Sequence, residues 1–184
     1  MTSENGCLNC LARRPAFQIA RALGAYEGVL QIAIHHFKYH DRPQLALPLG
    51  RYLAEYARKH VSELNDLKFD ALVPVPMHPI RQRLRGYNQS ERLAQALGKE
   101  LELPLLTGSL TRIRPTRAQV GLAREARYHN LTGAFQVRLP ETVAGKTLLL
   151  IDDVATTGSS LHECADVLKA AGAKAVYALT LAAG

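Results

Sequence analysis

The chain of 184 residues has no tryptophan, and phenylalanine and tyrosine bring the aromatic share to only 6%. So few flat rings argue against a generic groove on which successive bases of a strand would stack. Three cysteines are too few, and odd in number, for a disulfide framework, so oxidative cross-linking is not expected to hold this fold. The Asn-x-Ser/Thr triplets at Asn88 and Asn130 therefore carry no glycosylation meaning. No stretch approaches the roughly 18 consecutive apolar residues of a membrane span. Met1 to Gly6 has neither the basic start nor the apolar run of a secretory signal. A cytoplasmic protein is expected. No internal repeat, low-complexity tract or Pro/Gly-rich linker marks a second large domain, and the length suits one compact domain with a small appendage.

Against these absences, 47% hydrophobic and 21% charged residues are enough for a packed core. The formal net charge is +7, and its placement is informative. Arg81, Arg83 and Arg85 contribute +3 with no acid between His78 and Ser90, and Arg112, Arg114, Arg117, Arg124 and Arg127 against Glu125 contribute +4. These two short tracts hold the whole excess. Charge runs usually face water, so an anionic partner needs support from elsewhere in the chain.

Residues 1–14 form a polar tail, and residues 15–68 read as a helical hood or cap with helices over about 26–40 and 43–60. Residues 69–184 form the core. Within it, Phe69 to Val75 is a short apolar run bounded by prolines, suited to a buried parallel strand. Strands are also expected over Gly108–Arg112, Ala134–Leu139, Lys146–Ile151 and Ala175–Leu181, with helices over Gln89–Glu102 and Ser160–Ala171. Residues 113–129 show no periodicity. Strands alternating with helices indicate an α/β fold with a mainly parallel central sheet flanked by helices. The last helix is the most clearly written: Leu161, Cys164, Ala165 and Leu168 fall at i, i+3, i+4 and i+7, with Gly172 just past the end.

The run Leu148-Leu149-Leu150-Ile151-Asp152-Asp153-Val154-Ala155-Thr156-Thr157-Gly158-Ser159-Ser160 joins a buried strand to that helix through small and hydroxylated residues. Ligands of open α/β sheets collect at the carboxyl ends of strands, where the next helix presents unpaired N–H groups. Gly158 lets backbone approach an anion, and Thr156, Thr157, Ser159 and Ser160 add hydroxyl donors beside Ala155. Asp152 and Asp153 would repel a phosphate, so their place is one sugar ring away, accepting hydrogen bonds from vicinal hydroxyls. Together these residues read as a grip for ribose 5-phosphate.

This run resembles the phosphoribosyl-pyrophosphate (PRPP) signature of the type I phosphoribosyltransferases. Pro74-Val75-Pro76, Arg85-Gly86-Tyr87-Asn88-Gln89-Ser90, the Arg112 to Gln119 spacing, Arg127, Asn130 and Gly133-Ala134-Phe135 resemble the ComF branch, named for bacterial competence. The resemblance covers about Cys7 to the C-terminus. It implies a type I phosphoribosyltransferase-like fold with a small N-terminal helical hood. Arg85, Gly86, Asn88 and Gln89 would belong to a pyrophosphate loop, and residues 113–129 would be a loop closing over the active site.

By the same likeness, pyrophosphate leaves C1 of PRPP through an oxocarbenium-like transition state. Mg²⁺ held with PRPP would neutralise part of the leaving-group charge, and Arg112, Arg114 and Arg117 are the candidates for the rest. Enzymes of this fold acting on 6-oxopurines carry a third acid two positions before the glycine, where this chain has Thr156, so hypoxanthine or guanine salvage is not expected. Residues 15–60 carry no pattern that translates into an acceptor. The rival reading is a module that senses PRPP or a nucleotide, or binds single-stranded DNA as part of a competence machinery, without turnover. Within the basic tracts only Tyr87 and Tyr128 could stack bases. A dimer is compatible with the sequence, which does not specify it.

Gly145-Lys146-Thr147 resembles the end of a nucleotide-binding P-loop, but the glycine needed five positions before Gly145 is Pro140. Cys7-x-x-Cys10 is half of a tetrahedral Zn²⁺ site. The ComF resemblance implies two such pairs, the other lying upstream of this one. His35, His36 or His40 are alternative completing ligands.

Overall fold

The computed structural model describes residues 15–39, 42–60, 68–114 and 131–184. Strand β1 is Ala20–Ala25, followed by helix α1 (Gly28–Tyr39), a 3-10 turn (Pro43–Leu45) and α2 (Ala46–His60). Then come β2 (Ala71–Pro74), α3 (Pro79–Arg85), α4 (Gln89–Leu101), β3 (Leu110–Arg112), β4 (Phe135–Val137), the single turn α5 (Pro140–Val143), β5 (Thr147–Ala155), α6 (Ser159–Ala170) and β6 (Ala175–Ala183). The central sheet is parallel throughout, in the order β1-β6-β5-β2. β3 and β4 form a separate antiparallel ribbon. The expected α/β class with a parallel sheet between helices is present.

β5 forms the middle of the core because Leu148 to Ile151 is buried on both faces, as a central parallel strand requires. Alternation divides it: Leu149 and Ile151 pack with α1, α2 and α4, whereas Leu148 and Leu150 pack with α6 and the β3–β4 ribbon. Burying each such side chain contributes about 1.5–3 kcal/mol. On the first face α2 and α4 approach so closely that a Cβ on Gly50 would stand 2.6 Å from Cβ of Ala96. On the other, Leu161, Cys164, Ala165 and Leu168 are all buried, as their spacing predicts.

Three expectations change. Residues 20–25, expected within the helical cap, instead form the edge strand β1, with Ala20 opposite Ala178 and Ala25 opposite Ala183. Ala-Arg-Ala-Leu-Gly-Ala carries no strand propensity of its own, so the pairing with β6 decides its conformation. The second change matters for the site: β5 does not stop at Ile151 but runs on through both aspartates to Ala155. The residues after β2, expected as a loop, also contain the short helix α3.

The crossover helices then place a crevice. α4, which follows β2, covers one face of the sheet, and α6, which follows the adjacent β5, covers the other. Helices diverging to opposite faces from neighbouring parallel strands open a cleft at the strands' carboxyl ends.

Candidate functional site

At the carboxyl end of β5 a cleft is lined by Asp152, Val154 and the unbroken run Ala155 to Leu161. Ala155, Thr156, Thr157, Gly158, Ser159 and Ser160 thus share one cleft wall. The Thr157 and Ser159 hydroxyls lie 2.6 Å apart and share a hydrogen bond, and Ser159 N donates weakly to Thr157 Oγ1 at 3.4 Å. Gly158 caps α6 with φ of 72°, a left-handed conformation that excludes most side chains. Among the described residues no atom beyond its own chain neighbours lies within 4 Å of the position a Cβ would take there.

Asp152 is buried at the base of this cleft. Its Oδ1 accepts from Ser90 Oγ at 2.7 Å and from the backbone N–H of Asp153 at 2.9 Å. Burial, followed by the adjacent Asp153 charge, pushes its pKa up to about 7, against the lowering effects of Ser90 and Lys38. Asp153 meets Lys38 of α1, with Nζ 3.1 Å from Oδ1. Both aspartates lie inside β5 instead of in the loop beyond it.

The Arg85-Gly-Tyr-Asn-Gln-Ser90 motif forms the flank of the cleft. Gly86, with φ of 85°, ends α3, and Asn88 caps α4 by accepting from Ser90 N at 3.1 Å. Asn88 Nδ2 also donates to the carbonyl of Val75, fixing the motif to the end of β2. Tyr87 is buried, its hydroxyl donating to the carbonyl of Phe37. Gln89 is buried as well, accepting from Arg85 Nη1 at 2.6 Å, while the Arg85 guanidinium lies 5.2 Å from the Tyr39 ring centroid. Ser90 joins this motif to the cleft through Asp152, while Arg85, Gly86, Asn88 and Gln89 shape the end of α3 and the start of α4.

Arg112 projects from β3 over the Phe135 ring, 5.4 Å from its centroid. Burial first, then the nearby charge of Arg81, lower its pKa, while Cys164 and Asp152 act in the opposite sense. Arg112 is therefore within electrostatic reach of Arg81, from the other basic tract, and of Asp152. Arg114 Nη2 donates to the carbonyl of Thr132 at 2.6 Å. Arg117, Cys7 and Cys10 lie outside the described residues. Among the described residues no group of three or more His, Cys, Asp or Glu side chains is placed to hold a metal ion, and no helix is long and apolar enough to cross a membrane.

Two participants were not predicted. Ser90 stands in the quoted motif, but nothing local ties it to a carboxylate 62 residues away. Lys38 sits in a helix whose sequence carries no ligand pattern, and only the sheet's geometry brings it to Asp153.

The phosphoribosyl transferase domain family matches residues 38–184. Competence protein F of Haemophilus influenzae is 33% identical over 96% of this chain and 77% of its own length. The DNA utilization protein YhgH of Escherichia coli K12 is 35% identical over 92% of this chain and 74% of its length. Among solved structures, UMP synthase of Leishmania donovani aligns with 86% of this chain at 16% identity and a TM-score of 0.43, and the chain spans only 32% of that protein.

Proposed function

Since the chain belongs to the phosphoribosyl transferase domain family, in its ComF branch, we propose that it binds PRPP in the β5–α6 cleft and transfers the 5-phosphoribosyl group with release of pyrophosphate. The observation that carries this reading is the cleft's composition: a buried carboxylate beside an open glycine and hydroxyl loop at the start of a helix. The 5-phosphate sits against the amides and hydroxyls of Ala155 to Ser160, where the helix N-terminus favours negative charge. Asp152 accepts from the ribose hydroxyls. The diphosphate extends toward Arg81 and Arg112, with Arg114 and Arg117 as further donors to the leaving group. As the C1–O bond breaks, its electron pair leaves with pyrophosphate, and the acceptor's lone pair forms the new bond at C1.

The Mg²⁺ expected with PRPP fits as a substrate-borne ion. With no cluster of three candidate ligands among the described residues, the diphosphate oxygens and water would supply most of its coordination, as is usual for Mg²⁺ on phosphates. When bound, it supplies charge neutralisation to the leaving group.

The test is incubation with PRPP and Mg²⁺ against a panel of bases and amines, assaying pyrophosphate. Release dependent on one acceptor supports transfer. Silence across the panel, with PRPP still bound, assigns the fold to sensing without turnover.

A second reading, a surface for single-stranded DNA in competence, gains from one observation. Tyr87 is buried and unavailable for stacking, yet the exposed Tyr39 ring lies beside Arg85 and 5.0 Å from the His35 ring. Strand binding there would weaken steeply with salt, whereas PRPP binding would follow Mg²⁺ and Asp152.

A further inference from the structure

We propose that the outward faces of α1 and α3 form one docking surface for an acidic amphipathic helix of another protein, its apolar side chains against Ile32, Tyr39 and Leu84 and its carboxylates against Arg83. The surface lies outside the residues that line the β5–α6 cleft, and its use does not depend on the phosphoribosyl reading.

α1 is apolar on two sides. Its inner face places Ile34 and Phe37 in the core. Its outer face carries Val29, Ile32 and Tyr39 at i, i+3 and i+10, with Val29 83% and Tyr39 61% exposed. A helix that is apolar all round is ordinarily covered on every side, so this outer stripe calls for a partner. α1 contains no acid, and the acids nearest to it in the chain, Glu27 and Asp41, stand beyond its two ends.

α3 repeats the arrangement. Ile80 and Leu84 stand one turn apart and form an exposed ridge, with Leu84 84% exposed. The helical rotation sets Arg83 on one side of that ridge and Arg81 and Arg85 on the other. α3 also contains no acid. The Arg85 guanidinium lies 5.2 Å from the Tyr39 ring centroid, which joins the end of α3 to the end of α1. The two helices thus share an apolar strip edged by guanidinium groups, and tyrosine and arginine are the side chains enriched where proteins meet.

Charge and shape decide the occupant. A second copy laid on the same face about a two-fold axis would set arginine against arginine. A nucleic acid strand would find rings at Tyr39 and His35, but Ile32, Ile80 and Leu84 offer its bases no stacking surface. A helix with leucines on one face and glutamates on its flanks answers both features. Its apolar side chains, one turn apart, seat against the exposed stripe and ridge, and its carboxylates match the forked donors of arginine.

The experiment is fluorescence anisotropy with a labelled synthetic helix carrying leucines at i, i+3, i+4 and i+7 and glutamates elsewhere, beside a peptide of the same composition with the leucines shuffled around the helix. The wild type is expected to bind the amphipathic peptide at least about tenfold more tightly than the shuffled one. Leu84→Ser and Ile32→Ser each weaken it by about fivefold or more, and Arg83→Glu weakens it most at low salt. Leu139→Ser, at an exposed leucine outside this face, leaves it unchanged. Melting temperatures near the wild-type value are expected throughout, because the replaced side chains face water. Ile32 and Leu84 stand on different helices, so one variant reports if the other does not fold. No preference for the amphipathic peptide, or a preference that survives both serine variants, overturns the proposal. An oligothymidylate strand that binds and is lost in Leu84→Ser and Arg83→Glu, with the peptide unbound, assigns the face to nucleic acid and overturns it. Dimerisation in sedimentation that Ile32→Ser abolishes assigns the face to a second copy and overturns it as well.

Discussion

Ser90 Oγ donates to Asp152 Oδ1 at 2.7 Å, joining the first turn of α4 to the end of β5 across the crevice where the two crossover helices part. The bond links the two sequence motifs of the site. It also explains why a serine follows Asn88 and Gln89: Asn88 caps the helix and holds it to Val75, which brings the first turn's hydroxyl onto the carboxylate.

Replacing Ser90 with alanine removes the side-chain donor to a buried carboxylate. The expected cost is about 1–3 kcal/mol of stability near pH 8, where Asp152 is ionised. The cost shrinks near pH 5, where the protonated carboxyl needs that donor less. Urea denaturation at both pH values checks this, and an equal loss at both would mean that Ser90 acts through helix packing alone.

Asp152 itself makes stability depend on pH. Its folded pKa of about 7 lies above the ordinary carboxylate value, so the folded state binds more protons than the unfolded state between about pH 4 and 7. This group's contribution is fully present below that window and is lost as pH rises through about 7. Asp152→Asn should therefore flatten the fall in melting temperature of the unliganded protein over that range. A variant whose profile parallels the wild type would show that Asp152 titrates normally.

Gly158→Ala tests the loop without introducing a clash among the described residues, since none beyond its chain neighbours has an atom within 4 Å of the added Cβ. The φ of 72° is the obstacle, and a left-handed alanine costs about 1–2 kcal/mol. Weaker ribose 5-phosphate binding is expected as the loop relaxes away from its shape, with Gly158→Asn milder because asparagine tolerates this conformation. Titration with ribose 5-phosphate and thermal melts measure both effects. Tighter binding by the alanine variant would contradict the assignment of the anion to this loop.

Much of this architecture is legible in the chain because two signals are local. Four apolar residues before two acids mark a buried strand, though not where it ends, and the spacing of Leu161, Cys164, Ala165 and Leu168 marks the helix after it; both elements are present. β1 is not legible, since an alanine-rich hexapeptide becomes a strand only when β6 is beside it. The run of β5 through Asp152 and Asp153 is not legible either, since two acids after an apolar run read as the start of a loop, four residues before the strand ends. Ser90 and Lys38 are tertiary partners whose roles depend on which strands are adjacent, information that no residue spacing contains. Tyr87 shows the reverse case, an aromatic in a basic tract that faces the core beside Phe37.

The most direct measurement is calorimetric titration of Mg²⁺–PRPP into the wild type and Asp152→Asn at about pH 8, with the melting temperature of each unliganded protein recorded. The account predicts saturable binding by the wild type and binding at least about tenfold weaker by a still-folded variant, corresponding to one or two lost hydrogen bonds to a charged acceptor. Equal affinity of the two proteins would contradict it.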